Sequence, residues 1–137
     1  MVCTNCKYER TGKPEVYCSL SLSFNENANM TMISEELSTL GLKIIKEVRP
    51  RHQACTIIEI SVLRYEQFWN IDQALSTLFS MIHADLQAIR EIVEAHDGET
   101  YIDIAIVANE TYPSILFSKE NMMRIHALNA QISIDLL

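Results

Sequence analysis

The residues of this chain best suited to chemistry are its cysteines, which number four. Cys3 and Cys6 are separated by two residues, the spacing at which two thiolates bind one zinc ion. A tetrahedral zinc site needs four ligands, so Cys18 and Cys55 would have to converge on this pair. Both stand in strand patterns, where a cysteine usually acts as a small buried apolar residue. Cys3 and Cys6 are therefore the candidate metal ligands, but we expect no metal and no other cofactor.

The histidines and glycines offer no recognisable catalytic pattern. None of the four histidines has the spacing of a zinc protease, and we interpret all of them as surface or helix-capping residues. The sequence contains no nucleophile elbow, P-loop or dinucleotide fingerprint, and three glycines are too few for a phosphate-cradling loop. We therefore predict that the protein is not an enzyme. A thiol-dependent or metal-dependent enzyme that uses Cys3 and Cys6 is the least favoured alternative.

Negative charge is the most distinctive chemical feature of the sequence. The chain has a formal net charge of −7, and residues 65–137 hold eleven acids against three basic residues. Such a half does not bind phosphate backbones, because that binding depends on Lys and Arg, so we expect no nucleic-acid partner. It would attract a basic protein partner. The simpler interpretation is that the charge keeps the protein soluble. The candidate binding residues are Asp85, Glu91, Glu94, Asp97 and Glu99.

A smaller basic cluster precedes the acidic half. It consists of Lys43, Lys46, Arg49, Arg51 and His52. These residues follow one predicted strand and its loop, where they could contact an anion. Charges that protect an edge strand from aggregation explain the cluster equally well.

One long helix is predicted to organise the fold. From Asn70 to Gly98 the apolar residues recur at steps of three and four, which is typical of an amphipathic helix. Asn70 is a good N-cap, and Gly98 is expected to supply a left-handed stop. The helix would be about 40 Å long at about 1.5 Å per residue. Leu78 and Ile82, in the middle of the apolar stripe, are expected at the centre of the core.

Strand and helix patterns alternate along the rest of the chain. Residues 15–24 alternate apolar and polar side chains, which predicts a half-buried strand. A helix over 30–40 ends at Gly41, and strands follow over 42–48 and 54–65. After the long helix come strands over 100–108 and 114–117. A helix capped by Ser118 and a final strand over 131–137 complete the chain.

The predicted order is β-α-β-β-α-β-β-α-β in a single α+β domain spanning residues 1–137. It matches a ferredoxin-like split βαββαβ sandwich extended by a C-terminal β-α-β, with helices on one face of a mainly antiparallel sheet. Residues 1–14 would form an arm or an edge strand. No apolar run reaches membrane-spanning length and no signal peptide is evident, so we expect no membrane partner and a cytoplasmic location.

Residues 69–137 resemble a family of small bacterial domains of unknown function, whose members recur among the immunity proteins of polymorphic and contact-dependent toxin systems. The matching features are Trp69 before a helix, the apolar strand Tyr101–Val107, and the tail from Pro113 to Asp135 with its Asn-Ala step. The N-terminal cysteine segment does not match the family. The resemblance brings no catalytic residues with it.

We therefore expect an immunity-type protein that neutralises a cognate toxin domain by protein–protein binding. Toxin domains that attack nucleic acids are basic where substrate binds, so an acidic inhibitor would mimic the charge of that substrate. The alternative is a small-molecule-binding regulatory domain, since ferredoxin-like sandwiches often bind ligands between subunits. Bacterial competition is the biological setting that the resemblance implies.

Overall fold

A computed structural model describes residues 14–48, 55–108 and 110–137, without the side chains of 64–67. The described residues form four helices and five strands. In chain order these are β1 (Glu15–Asn25), α1 (Met30–Thr39), β2 (Lys46–Val48), β3 (Cys55–Gln67), α2 (Ile71–Ser80), α3 (Leu86–Ala95), β4 (Glu99–Val107), α4 (Lys119–Leu128) and β5 (Ala130–Leu136).

The strands make one sheet in the order β2-β3-β1-β4-β5. β1 lies at its centre and pairs antiparallel with β3 and with β4, and β2 pairs antiparallel with β3. Only β5 departs from this pattern, because it runs parallel to β4. The predicted α+β class and mainly antiparallel sheet are confirmed. The strand order of the whole sheet differs from that of a four-stranded ferredoxin-like sheet, because β5 adds an outer strand beside β4.

The alternation in β1 sets the two faces of the sheet. Its apolar residues are buried, and the polar residues between them lie on the opposite face. The buried set is Val16, Cys18, Leu20, Leu22 and Phe24. Ile102, Ile104 and Ile106 of β4 join them in one core with side chains from all four helices. A period of two residues separates the faces because successive side chains of a strand point in opposite directions.

Among the described residues, the helices cover one face of the sheet and leave the other open. α2 packs on β1 and β3, α3 on β4, and α4 on β5, while α1 packs against α3. Leu78 is fully buried and Ile82 is 8% exposed, so the predicted core positions are confirmed.

The prediction of one continuous helix from Asn70 to Gly98 is wrong, because the structure has two helices there. The chain forms α2, breaks over residues 81–85, and starts again as α3. Met81 closes α2, and the Asp85 side chain accepts a hydrogen bond from Gln87 N at 2.9 Å to cap α3. Ile82 stays buried across the break, so the apolar stripe continues although the hydrogen-bonded helix does not.

The predicted stop at Gly98 is also wrong in its mechanism. Asp97 adopts the left-handed backbone, with φ of 54°. Gly98 is required for space instead, because a Cβ atom there would lie 2.5 Å from Cε1 of Phe24. Gly41 behaves as predicted, with φ of 84° after α1.

The predicted strand over 114–117 is reduced to a single bridge. Ser114 pairs with Asn70, where Ile71 N donates to Ser114 O and Ser114 N donates to Trp69 O. The segment is therefore an irregular connection tied to the start of α2, and the element order contains two consecutive helices in place of one. Trp69 itself is 46% exposed.

A buried polar cluster joins the first turns of α2 and α4. Asn121 is fully buried, and its Nδ2 donates to Asp72 Oδ1 at 2.8 Å and to Ser76 Oγ at 3.0 Å. Its Oδ1 accepts from Arg124 Nη1 at 2.7 Å, while Ser118 N donates to Asp72 Oδ1 at 2.8 Å. We call this set the α2–α4 staple. It places a polar residue in the core, whereas Met122 and Met123 beside it are exposed.

Candidate functional site

The predicted acidic residues do not form one group. Asp85 caps the N-terminus of α3, and the other four follow toward and beyond its C-terminus. A helix of ten residues is about 15 Å long, so Asp85 is separated from Asp97 by roughly that distance. Asp85 also has a local purpose as a cap. Asp85 thus lies at the opposite end of α3 from the other four acids.

The remaining four acids define an acidic corner, formed by Glu91, Glu94, Asp97 and Glu99. All four are exposed. Glu91 and Glu94 are three residues apart in α3, so they lie on one face of that helix. Glu94 and Glu99 line the same cleft of about 260 Å³, in company with Arg90 and Asn129. The fold thus brings acids from a helix end and a strand start to one place.

The corner has an electrostatic setting that favours a cation. α3 and α4 both end beside the cleft, since Asn129 is the C-cap of α4 and Glu94 lies in the last turn of α3. Helix C-termini carry partial negative charge, and α3 has no basic residue in its last turn. Arg90 supplies one cation, with its Nε donating to Glu94 Oε1 at 2.7 Å. Within the described part of the chain, Glu91 and Asp97 form no ion pair.

Two acids at the corner also have local contacts. Asp97 takes a left-handed backbone, which Asn and Asp tolerate better than most residues. Glu99 accepts a hydrogen bond from the Tyr101 hydroxyl. This bond raises the pKa of Tyr101 above its usual value, aided by burial and by the nearby negative charges. Each of these contacts involves a single acidic residue. Local stability therefore does not explain why four acids lie at the corner.

The cleft also contains a buried hydroxyl. Thr100 lines its wall and is 2% exposed, and its Oγ1 has no hydrogen-bond partner among the described residues. Buried polar groups are normally paired. The strand alternation indicates only that Thr100 faces the helices; the lack of a partner is visible only in the tertiary structure.

Histidine 96, next to the corner, has a structural contact. Its Nε2 lies 3.0 Å from Oε2 of Glu36, which connects the end of α3 to α1. His96 was predicted to be a surface or cap residue, and it is the C-cap of α3. This contact orients the end of the helix on which the acidic corner is built.

The open face of the sheet carries a trough that the sequence analysis did not identify. A space of about 380 Å³ is lined by residues that include Tyr17, Asp103, Asp135 and Leu137. Ser21 Oγ donates to Asp103 Oδ2 at 2.9 Å on the floor of an adjoining space of about 400 Å³. The only sequence feature that indicated this surface was the set of polar residues that alternate with the buried residues of β1. They become a surface only because β1 and β4 are neighbours.

The cysteines that the structure describes cannot share a metal ion. Cys18 lies opposite Leu63 in β3, whereas Cys55 lies opposite Asn25. Seven residues of β1 separate these positions, which is roughly 23 Å at about 3.3 Å per residue. Burial raises the pKa of the Cys18 thiol to about 12, with a smaller contribution from Asp103, so this thiol is protonated at neutral pH.

Several other predicted residues cannot be placed. Cys3 and Cys6 lie outside the described residues, as do Arg49, Arg51 and His52 of the basic cluster. Lys43 and Lys46 are exposed, and β2 is shorter than the predicted strand over 42–48. Across the described ranges, no group of three or more His, Cys, Asp or Glu side chains is arranged to hold a metal ion.

The chain matches no protein-family model, no curated protein and no solved structure. None of the helices in the described ranges has the length and apolar character needed to cross a membrane. The assignment of a function therefore depends on the acidic corner and the trough themselves.

Proposed function

We propose that this protein is an immunity-type binding protein, which neutralises a cognate toxin domain by covering a basic surface of that domain. The observation that carries the proposal is the acidic corner. There Glu94 and Glu99 line one cleft where two helices end, while the exposed Glu91 lies three residues before Glu94 and the exposed Asp97 directly precedes Gly98 of the cleft wall. A bacterial origin and a cytoplasmic site of action belong to the same proposal. So does a ferredoxin-like arrangement of β1 to β4, which the strand order β2-β3-β1-β4 supports.

The electrostatics of the corner favour binding over stability as its purpose. Like charges three residues apart on a helix repel, and acids near a helix C-terminus oppose the helix dipole. Each effect is worth a few tenths of a kcal/mol to about 1 kcal/mol. A surface that bears such costs is well suited to a partner with the opposite charge, which removes the repulsion on binding.

The cleft suggests how a basic partner would engage. An Lys or Arg side chain entering it would meet the carboxylates of Glu94 and Glu99 and the end of α4 at Asn129. Arg90 would then exchange part of its contact with Glu94 for solvent.

The test uses the protein encoded by the neighbouring reading frame as the toxin. Co-expression of that protein with and without this chain measures protection. A variant with Glu91→Lys and Asp97→Asn should associate up to about tenfold more slowly at low salt and show a flatter salt dependence. Asp97→Asn is chosen because Asn tolerates the left-handed backbone, so the charge changes without backbone strain.

A matched control makes the same charge change at the other end of the domain. Glu110→Lys with Glu120→Gln alters two exposed acids far from the corner, beyond β4 and at the start of α4. The control should associate like the parent. If both variants behave alike, only net charge matters and the acidic corner is not the binding site. If the parent neither binds nor protects, the immunity function is wrong.

The trough on the open face favours a second candidate, a small-molecule regulatory domain. Its volume of about 380 Å³ falls in the range of small-molecule sites, and its lining combines apolar and polar groups. A saturable rise in melting temperature with a metabolite, lost on Ala105→Trp in the trough, would support this function. Unchanged melting across a broad metabolite panel would reject it.

A further inference from the structure

β5 presents an unpaired edge among the described residues. Leu137 N donates to Ile106 O at 2.9 Å, so odd-numbered residues at the end of the chain direct their backbone groups toward β4. Backbone groups alternate in direction along a strand, and the even-numbered residues of β5 therefore direct theirs outward. Ala130, Ile132, Ile134 and Leu136 thus display N–H and C=O groups ready for a further strand.

β2, on the opposite edge of the sheet, is short and charged, whereas β5 is neither. β2 has three residues, two of which are the exposed charges Lys46 and Glu47. β5 has seven residues without Pro, Lys or Arg, and its only charge is Asp135. Short charged edges are the usual protection of monomeric proteins against edge pairing. A seven-residue edge with a single charge lacks this protection and is suited to pairing with a further strand.

We propose that this chain forms a two-fold symmetric dimer in which β5 pairs antiparallel with β5 of a second copy, centred on Ser133. This register opposes Ile132 with Ile134 of the second copy, and both residues direct backbone groups outward as hydrogen-bonded pairs require. All seven residues of the strand are then paired. Asp135 faces Gln131 of the second copy and so avoids its own image.

The side chains along the edge are complementary in this register. Leu136 is 62% exposed and would lie opposite Ala130 of the second copy. Ala130 borders a groove of about 360 Å³ between α4 and β5, lined also by Met122, Ile125 and Ile132. Each Leu136 would therefore enter the groove of the other copy. A large residue opposite a small one with an adjacent apolar groove is the arrangement expected at an isologous interface.

Charge sets how the dimer should respond to salt. Each copy carries a net charge of −7, so association brings two negative bodies together. Salt screens this repulsion, and the dimer should therefore become more stable as ionic strength rises. Binding of a basic toxin at the acidic corner should weaken with salt instead, which distinguishes the two interactions experimentally.

The first experiment measures molar mass by light scattering after gel filtration of the full chain, over a wide concentration range. The parent should approach twice its monomer mass of 15.7 kDa as concentration rises. Leu136→Asp should remain monomeric, because it places a carboxylate in the groove of the second copy. Leu137→Asp is the matched control, since it is adjacent, is 74% exposed and borders the trough on the other face. It should dimerise like the parent.

The second experiment tests the register. Ser133 pairs with itself across the axis, at a Cα separation of about 4.5 Å that a disulfide can span. Ser133→Cys should therefore form a covalent dimer on mild oxidation. Gln131→Cys should not, because its image lies four residues away along the strand, roughly 13 Å. The parent, treated identically, measures crosslinking by its own cysteines.

Each result bears on the proposal. A parent that stays monomeric at every concentration and salt level overturns it. If the parent dimerises but Leu136→Asp dimerises equally well, the contact lies elsewhere and the proposal is overturned. The same holds if neither engineered cysteine crosslinks more than the parent does. The proposal is supported if Leu136→Asp keeps the measured molar mass at that of the monomer and if Ser133→Cys forms a covalent dimer while Gln131→Cys does not.

Discussion

Replacing Asn121 by alanine should destabilise the fold by about 2–4 kcal/mol. This side chain is fully buried at the centre of the α2–α4 staple. Its amide donates to the Asp72 carboxylate at 2.8 Å and to Ser76 Oγ at 3.0 Å, and accepts from the Arg124 guanidinium at 2.7 Å. Alanine removes these three bonds and a longer one from the amide to Asp72 O at 3.2 Å, and leaves their partners at the junction of two helices.

The magnitude follows from the charges of the partners. A net hydrogen bond to a charged group contributes about 1.5–3 kcal/mol and a neutral one about 0.5–1.5 kcal/mol. Asp72 and Arg124 are only partly buried, so water replaces some of what each loses. Roughly half of the summed value survives this replacement, which gives about 2–4 kcal/mol. Ser76→Ala, at an exposed partner, should cost less than about 1 kcal/mol and serves as the control.

The effect should depend on pH with a definite sign. Burial alone would raise the pKa of the Asp72 carboxyl, but hydrogen bonds from Ser118 and Asn121 outweigh it and hold the pKa below its usual value. A carboxyl with a lowered pKa stabilises the fold above its unfolded pKa of about 3.9, and this stabilisation is lost as pH falls through the folded pKa. Asn121→Ala removes part of this effect, so the gap between parent and variant should narrow below about pH 4.

Urea denaturation at neutral pH and at about pH 3 measures both quantities. The reasoning would be refuted if Asn121→Ala cost less than about 1 kcal/mol at neutral pH, or if its deficit grew on acidification. Either result would mean that the staple does not bind α4 to α2, and that apolar packing alone holds α4 in place.

Three further predictions concern the core and the backbone. Leu78→Ala should cost about 2–5 kcal/mol by urea denaturation, because this fully buried side chain leaves a cavity, and a value below about 1 kcal/mol would contradict its central placement. Gly98→Ala should cost about 1–3 kcal/mol because the new methyl would overlap the Phe24 ring. Gly41→Ala, which meets no atom within 4 Å, should cost only the strain of its positive φ, about 1–2 kcal/mol, so thermal melting should rank Gly98→Ala as at least equally damaging. Cys18 should react with a thiol reagent only as fast as the protein unfolds, because burial raises the pKa of its thiol to about 12; rapid labelling in native buffer would contradict this.

Local patterns in the sequence predicted the elements whose signals are themselves local. The alternation of residues 15–24 identified β1 and its buried face, because one buried face imposes a period of two on any half-buried strand. Asn70 and Ser118 were recognised as helix caps, and both accept the expected hydrogen bond from a backbone N–H three residues later. Caps of this kind act within one turn, so no distant residue is needed to predict them.

The length of the central helix could not be read from the same signals. Its apolar stripe runs unbroken from Ile71 to Val93, although the hydrogen-bonded helix stops at Met81 and resumes after Asp85. Periodicity reports which face is buried, and Ile82 is buried in either case. Asp is a favoured N-cap residue, but Asp85 lies within a continuous apolar stripe, so the sequence did not reveal its capping role.

The sequence alone determined the class of fold, the main buried faces and the excess of negative charge, because these follow from residue types and short spacings. Tertiary structure decided which charges meet. It made Asp85 the N-cap of a separate helix and brought Glu99 of β4 to the same cleft as Glu94 of α3. It also placed Asn121 in the core and left Met122 exposed, because a buried amide can be satisfied there by Asp72 and Ser76. Such convergence depends on contacts between residues far apart in the chain, and no local pattern encodes them.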